Sequence, residues 1–390
     1  MLKIFITYNK DMQRGIVILV ISFFLIIAVI KIFTLINERN KIPTNSSSIQ
    51  TQNSSSLPFS KTNIEVVAKD LEVPWALDFL PNGDLIFTER KGLIKLLKKD
   101  IKEIKILGEI KVKQIGESGL HGIAIDPNFS ENHYLYLYYT YSGKDTDTLN
   151  RVSRFTYEDN NLENELIIVD KIPGAIYHDG GRIKFGPDGY LYITTGDATK
   201  PSLSQSKDSL AGKILRVTPE GNPAPNNPFN TAIYSYGHRN PQGIAWDSSG
   251  NLWATEHGRS GAKSGLDELN FIQAGNNYGW DIIEGIEQKT NMITPVINSG
   301  TDTTWAPAGI AFYKNSLFFA GLRGSTLYQA VLENNKVKEL KKHFINQFGR
   351  IREVVLGPDN MLYITTSNKD GRGVPKSGDD KIIKVNPGSL

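Results

Sequence analysis

One β-hairpin pattern returns six times along this chain, and it constrains the fold more than any other feature. From about residue 64, an apolar run leads into a turn rich in Pro, Asp, Asn and Gly. A second run rich in Tyr, Leu, Ile and Thr follows. The copies are WALDFLPNGDLIFTER (75–90), GIAIDPNFSENHYLYLYYT (122–140), GRIKFGPDGYLYITTGD (181–197), GIAWDSSGNLWATEH (243–257), GIAFYKNSLFFAGL (309–322) and REVVLGPDNMLYITTSN (352–368). Two β-prone runs around an Asn-Gly or Asp-Gly type of turn read as a hairpin. The copies stand roughly 45 to 65 residues apart, which leaves room for about four strands per unit. Serial four-stranded units of this kind predict an all-β body, a six-bladed β-propeller. A β-sandwich with unrelated turns would not put the same turn at the same point of every copy. The propeller hosts many functions, so function has to be argued from the site.

Ahead of the repeats the sequence changes character. After a flank at 1–14, the stretch GIVILVISFFLIIAVI (15–30) is apolar without a break, Lys31 interrupts it, and Ile32 to Ile36 continues it. Some twenty residues at about 1.5 Å each span roughly 30 Å, the thickness of a bilayer core. Residues 15–36 therefore predict a single-pass transmembrane signal-anchor, with Lys31 snorkelling to the interface. No small-x-small cleavage site follows, so an uncleaved anchor is expected in place of a signal peptide. Lys3, Lys10 and Arg14 before the run nearly balance Lys31, Arg39 and Lys41 after it. The charge rule alone therefore does not orient it. A short amino-terminal anchor places the body outside the cytoplasm. Residues 37–62 predict a disordered tether; the stretch PTNSSSIQTQNSSSLPFS (43–60) is too polar to bury a core and carries N-x-S sequons at Asn45 and Asn53. The body is assigned to 63–390.

A net charge of only +3 over 390 residues argues against nucleic acid and leaves room for an anionic small ligand. The absence of cysteine excludes disulfides, thiolate metal sites and a cysteine nucleophile.

Four clusters beside the hairpins carry chemistry. They are Tyr177-His178-Asp179-Gly180-Gly181-Arg182; Tyr236 to Gly243; Glu256 to Arg259 with Asp267 to Asn270 and Asn276 to Trp280; and Gly321 to Gly324 with Gly349 to Glu353. Arg239, Arg323, Arg350 and Arg352 sit at similar phases of different blades, so the propeller would turn them toward one pocket. Converging guanidinium groups suit a planar polyanion, because each binds a carboxylate in bidentate fashion. A histidine beside them is a candidate base. Spacing alone does not identify the ligand.

These segments resemble the soluble pyrroloquinoline quinone (PQQ)-dependent aldose sugar dehydrogenases of the glucose/sorbosone dehydrogenase family. The likeness runs from about 64 to 386. Its most specific stretch is GHRNPQGIAWDSSGNLWATEHG followed by DELNFIQAGNNYGW; HDGGRIKFGPDGYLYITTGD, TWAPAGIAFY and GRIREVVLGPDNMLYIT match in the same order. The resemblance implies oxidation of aldoses to lactones. His178 would take the hydroxyl proton while hydride passes to the quinone, and Asp267 would orient the imidazole. It implies that Arg239, Asn240, Ala306, Arg323, Arg350 and Arg352 contact PQQ. It further implies calcium, held by the carbonyls of Gly258 and Arg259 and by a Glu268/Tyr278 pair. The chain departs from the family at Glu117, where some members carry a cofactor-contacting glutamine, and a carboxylate there needs a proton or a partner. Arg323 stands where some carry lysine, and His121 where an aliphatic residue is usual. A sugar substrate, the membrane, and a quinone or cytochrome electron acceptor are the partners implied. Two other readings stay open: a calcium-dependent propeller lactonase using Glu117, Asp267 and Glu268, and a non-catalytic extracellular binding propeller.

Overall fold

Each of the six hairpins forms the two innermost strands of a four-stranded antiparallel sheet in a computed structural model described over residues 64–144, 147–261 and 264–390. Blade 1 is Pro74–Phe79, Leu85–Glu89, Leu93–Leu97 and Ile104–Glu109. Blade 2 is Leu120–Ile125, Tyr134–Ser142, Thr148–Glu158 and Asn161–Pro173. Blade 3 is Ile183–Phe185, Leu191–Thr195, Lys213–Val217 and Ile233–Tyr236. Blade 4 is Pro241–Trp246, Leu252–Glu256, Glu268–Ile272 and the short Ile297–Asn298. Blade 5 is Pro307–Tyr313, Ser316–Gly321, Thr326–Glu333 and Lys336–His343. Blade 6 is Ile351–Leu356, Leu362–Thr366, Ile382–Val385 and, as its outermost strand, Ile64–Ala68. The first described strand thus pairs with the last, Ile64 opposite Val385, and closes the ring. Among the described residues, helix is confined to short segments such as Phe129–Asn132.

The second strand of a blade is flanked by neighbouring blades on both faces. Leu85–Glu89, Leu191–Thr195 and Leu252–Glu256 are accordingly buried at every residue, which explains why they read as continuous apolar and threonine runs. The threonines of that run link blades. Thr88 donates to His121 O (2.6 Å), Thr255 to Ala308 O (2.5 Å) and Thr365 to Pro74 O (3.0 Å), the last joining blade 6 to blade 1. Trp75, Phe87, Tyr136, Trp253 and Phe318 fill the wedges between sheets, each at most 2 % exposed. Buried aromatics of this size dominate core energetics.

In five blades the innermost strand slips register at its start, at Pro74/Ala76, Leu120/Ile123, Pro241/Gly243, Pro307/Ile310 and Ile351/Glu353. Such bulges re-aim side chains. Here the bulged residues Trp75, His121, Gln242 and Arg352 all border one cavity. The strands come close where they do so: a Cβ on Gly243 would lie 2.2 Å from Ala308 O.

Behind these residues Arg182, 5 % exposed, pairs with Glu353 and donates through Nε to Gln242 O at 3.0 Å. Glu353→Gln is expected to cost about 3–5 kcal/mol, because it leaves a buried guanidinium uncompensated. The shift of the urea midpoint measures this.

The apolar run at 15–36 and the tether at 37–62, with Asn45 and Asn53, lie outside the described residues. Among the described residues no helix is long and apolar enough to cross a membrane.

Candidate active site

The bulged strand starts form the floor of a cavity of about 630 Å³, and the connections between blades, with the loops after each second strand, form its walls. Trp75 and His121 stack there at 4.8 Å. His121 is also stacked on Tyr138 at 5.8 Å, and its Nε2 lies 3.0 Å from Glu117 O. Burial pushes its imidazole down to about 3, so the ring is neutral. It is a packed histidine that borders the cavity.

The connection from blade 2 to blade 3 carries His178. Its neighbour Asp179 is buried and accepts from Ser118 Oγ (2.9 Å), Asn150 Nδ2 (3.0 Å) and Ala175 N (3.1 Å). Burial raises this carboxyl to about 6 even though the three donors hold it down. So anchored, the loop keeps His178 at φ 64°, a left-handed conformation uncommon outside glycine. Gly196 makes room for it: a Cβ there would sit 1.9 Å from His178 O. His178 Nδ1 lies 2.8 Å from Asp197 Oδ1. Asp197 is fully buried and is itself fixed by Trp280 Nε1 and Thr199 N, each at 2.8 Å. A carboxylate accepts, so Nδ1 carries the proton. Nε2 makes no hydrogen bond among the described residues and is the basic nitrogen in the cavity wall.

The imidazole's partner is therefore Asp197, where the resemblance pointed to Asp267. The Asp267 carboxylate is occupied by Gly258 N (2.9 Å), Thr304 Oγ1 (2.7 Å), Trp305 N (2.7 Å) and Ala306 N (3.0 Å). It pins the TWAP segment, with Ala306, against the cavity.

Arg239, Arg323, Arg350 and Arg352 all line the same cavity as His178. With Arg90, Arg259 and Arg372 they make seven arginines against four carboxylates, Glu117, Asp179, Asp267 and Asp370. Asp370 is shared by Arg350 (2.8 Å) and Arg352 (3.4 Å). Burial, with Arg90 and Arg350 nearby, brings Arg352 down to about 10 against the pull of Asp370, so it stays charged. Arg239 has no carboxylate in ion-pair contact among the described residues; it donates to Ser260 Oγ at 2.8 Å and lies 5.3 Å from the Trp280 ring. Arg323 is exposed at the rim, donating to Ser264 Oγ at 2.9 Å. Asn240 sits behind the wall, its Oδ1 accepting from Gly180 N at 3.0 Å. Arg90 Nε, Arg239 Nε, Asn240 Nδ2 and His257 Nε2 are buried polar atoms for which the protein supplies no partner. In native proteins such atoms call for an explanation, and a ligand is one.

Glu117 finds the partner its position requires. Its carboxylate pairs with Arg372 and accepts His178 N–H at 3.3 Å. Burial opposes its ionisation, but His257 and Arg372 overrule that and hold it at about 2.

A second cavity of about 20 Å³ adjoins the first and is bordered by Gly258, Arg259, Glu268 and Tyr278. Glu268 is driven well above the usual carboxylate range by burial and by Glu256, Asp267 and Glu284. The Tyr278 hydroxyl is committed, donating to Phe271 O (2.7 Å) and accepting from Gln273 N (2.8 Å). No three His, Cys, Asp or Glu side chains among the described residues group as a metal set. Glu117, Asp267 and Glu268 thus do not form the carboxylate cage a lactonase needs. A Ser235–His238–Glu256 hydrogen-bond chain, 2.8 Å at each step, is sealed in the core and reaches no substrate.

Sequence reasoning missed Asp197, Asp370, Arg372 and Arg90, and gave His257, which stood in one of the four clusters, no role of its own. A signal existed for all five: each follows the second strand of a hairpin, where the chain returns to the cavity end.

The comparisons agree with this geometry. The family model described as Glucose / Sorbosone dehydrogenase matches residues 71–375. The chain is 30% identical over 358 residues to aldose sugar dehydrogenase YliI of Escherichia coli, covering 83% of this chain and 93% of that one. The PQQ-bound form of aldose sugar dehydrogenase from Streptomyces coelicolor superposes with a TM-score of 0.78 at 38% identity, over 85% of this chain and 99% of that one. A Thermus thermophilus protein described as a putative oxidoreductase (glucose dehydrogenase) gives 0.77 at 41% identity, over 83% and 99%.

Proposed function

The chain belongs to the glucose/sorbosone dehydrogenase family, and from that premise we propose that it oxidises aldoses to lactones with PQQ as resident cofactor. It is an oxidoreductase acting on sugar alcohol groups. The observation that carries the reading is a single cavity that joins a cationic wall to a histidine with a free Nε2.

The residues fit the cofactor. PQQ is a planar tricarboxylate, and the cavity offers seven arginines against four carboxylates, with buried donors left unpartnered. Its volume falls within the roughly 300–1,000 Å³ usual for small-molecule sites. Arg239, Arg323, Arg350 and Arg352 would hold the carboxylates, with Asn240 and Ala306 beside them. When bound, the quinone supplies an electrophilic carbon that accepts hydride. The protein's part is proton chemistry and electrostatics. His178 Nε2 takes the proton of the anomeric hydroxyl. Asp197 fixes the tautomer that leaves that nitrogen basic and offsets the charge of the imidazolium. Arg350 and Arg352 stabilise negative charge as it develops.

Calcium belongs to the same reading. Glu268, half-buried and crowded by Glu256, Asp267 and Glu284 with no ion pair among the described residues, has the surroundings of a hard-cation donor. Side chains alone do not complete a site, so the carbonyls of Gly258 and Arg259 would be needed. The Tyr278 phenol, already bonded twice, is not a free ligand. A cation there would act as a Lewis acid. An anchor at 15–36 would set the enzyme beside a membrane quinone or a cytochrome as electron acceptor; the apolar run is the support for that.

The test is reconstitution of the purified chain with PQQ and calcium, followed by an aldose panel and an artificial electron acceptor. Quinone binding and sugar-dependent dye reduction are expected. Failure of both overturns the proposal.

A further inference from the structure

Two inter-blade connections and one loop within blade 6 meet beside His178 at the cavity mouth and bring there groups other than those assigned to hold the cofactor's carboxylates. Tyr177, the residue before His178, is 40% exposed. The Arg372 guanidinium, from the connection after Leu362–Thr366, lies 5.3 Å over that ring. Glu117, from the connection between blades 1 and 2, pairs with Arg372 and also accepts His178 N–H. All three border the cavity, and the Arg372 side chain is 49% exposed. The base is thus flanked by a partly exposed aromatic ring and a guanidinium–carboxylate pair without net charge.

A pyranose offers the matching surfaces. Its C–H face is apolar and packs on an aromatic ring, while its edge carries neighbouring hydroxyls that a rigid fork of N–H donors can bond. We infer that Tyr177 and Arg372, the latter held in place by Glu117, form the sugar subsite and select neutral aldopyranoses. A sugar acid or sugar phosphate gains nothing beside Arg372, because Glu117 already answers the Arg372 charge. The inference rests on the reading of the chain as an aldose oxidoreductase. Tyr177 is a specificity-determining residue and takes no part in the proton transfer.

The experiment uses the full chain loaded with PQQ and calcium. Its probe is the 1,5-anhydro-alditol of the aldose turned over fastest, which lacks the anomeric hydroxyl and cannot be oxidised there. Titration calorimetry reads probe binding, and quinone fluorescence reads cofactor affinity. Tyr177→Ala is expected to weaken the probe about tenfold and to raise KM similarly, with kcat much less affected. Tyr177→Phe is expected to recover most of the affinity, since the ring face is kept. Arg372→Gln should weaken the probe as well. The matching uronic acid should bind no tighter than the neutral aldose. Probe affinity unchanged in Tyr177→Ala, in an enzyme that turns over sugar, overturns the subsite and leaves the oxidoreductase reading standing. Equal losses of quinone and probe affinity also overturn it, since Tyr177 would then belong to the cofactor seat. Tighter binding of the uronic acid overturns the preference for neutral sugars. A wild-type chain that neither binds quinone nor oxidises any aldose overturns the reading beneath.

Discussion

His178→Ala is expected to lower kcat on every aldose by roughly 10²- to 10⁴-fold, the contribution of a positioned general base, while quinone still binds. The two readouts separate because the ring's contacts differ from those of the arginines. His178 Nδ1 is bonded to Asp197, and the seat for carboxylates lies along Arg239, Arg350 and Arg352. Asp197→Asn should lower kcat in the same way without raising KM. An amide can turn its NH₂ toward Nδ1, which favours the tautomer with the proton on Nε2, where it is useless as a base. Stopped-flow reduction of the bound quinone by sugar reads the chemical step directly. Full turnover in His178→Ala would move the proton transfer to another group. His257 is then the residue to examine. Its Nε2 is buried without a partner in the same wall, and burial brings its imidazole down to about 4, against the pull of Asp267 and Glu117.

The inner half of every blade was readable because a hairpin writes itself locally, in alternating apolar residues and a turn that tolerates few residue types. The outer half was not. Ile297–Asn298 has only two residues to show, and Lys336–His343 is mostly polar because one face meets water. Closure of the ring left no local trace either, since Ile64 and Val385 stand at opposite ends of the folded chain. The site divides in the same way. His178, Arg239, Arg350 and Arg352 abut the repeats, so the repeat's phase predicted that they would face one cavity. Asp267 shows the limit of sequence proximity: the direction of its carboxylate was decided by four donors from Gly258 and the Thr304–Ala306 segment. Glu117 was legible as a misplaced charge, but its remedy lies 255 residues further on, in Arg372. Pairs made by the fold at that separation carry no spacing signal.

Arg239→Met is expected to weaken PQQ while stabilising the quinone-free protein, and these opposite signs distinguish a ligand-binding cation from a structural one. The guanidinium is 6 % exposed, has a buried Nε without a partner, and touches no carboxylate among the described residues. Burial pushes its pKa below the usual arginine value despite the pull of Asp197 and Glu256, the mark of a charge held at a cost. Exchange of a buried charge for an apolar chain of similar length is often neutral or stabilising, by about 1–4 kcal/mol where it is. A charge-assisted hydrogen bond to a carboxylate is worth about 1.5–3 kcal/mol. Its loss should raise the quinone dissociation constant by roughly 10- to 150-fold. Arg350 would behave differently, because Asp370 already compensates it and would be stranded by its removal. A thermal melt without quinone and a fluorescence titration with it check both signs. Equal quinone affinity in Arg239→Met and wild type would remove Arg239 from the seat, and a lower melting temperature would show that the protein itself, through Ser260 and Trp280, already repays the buried charge.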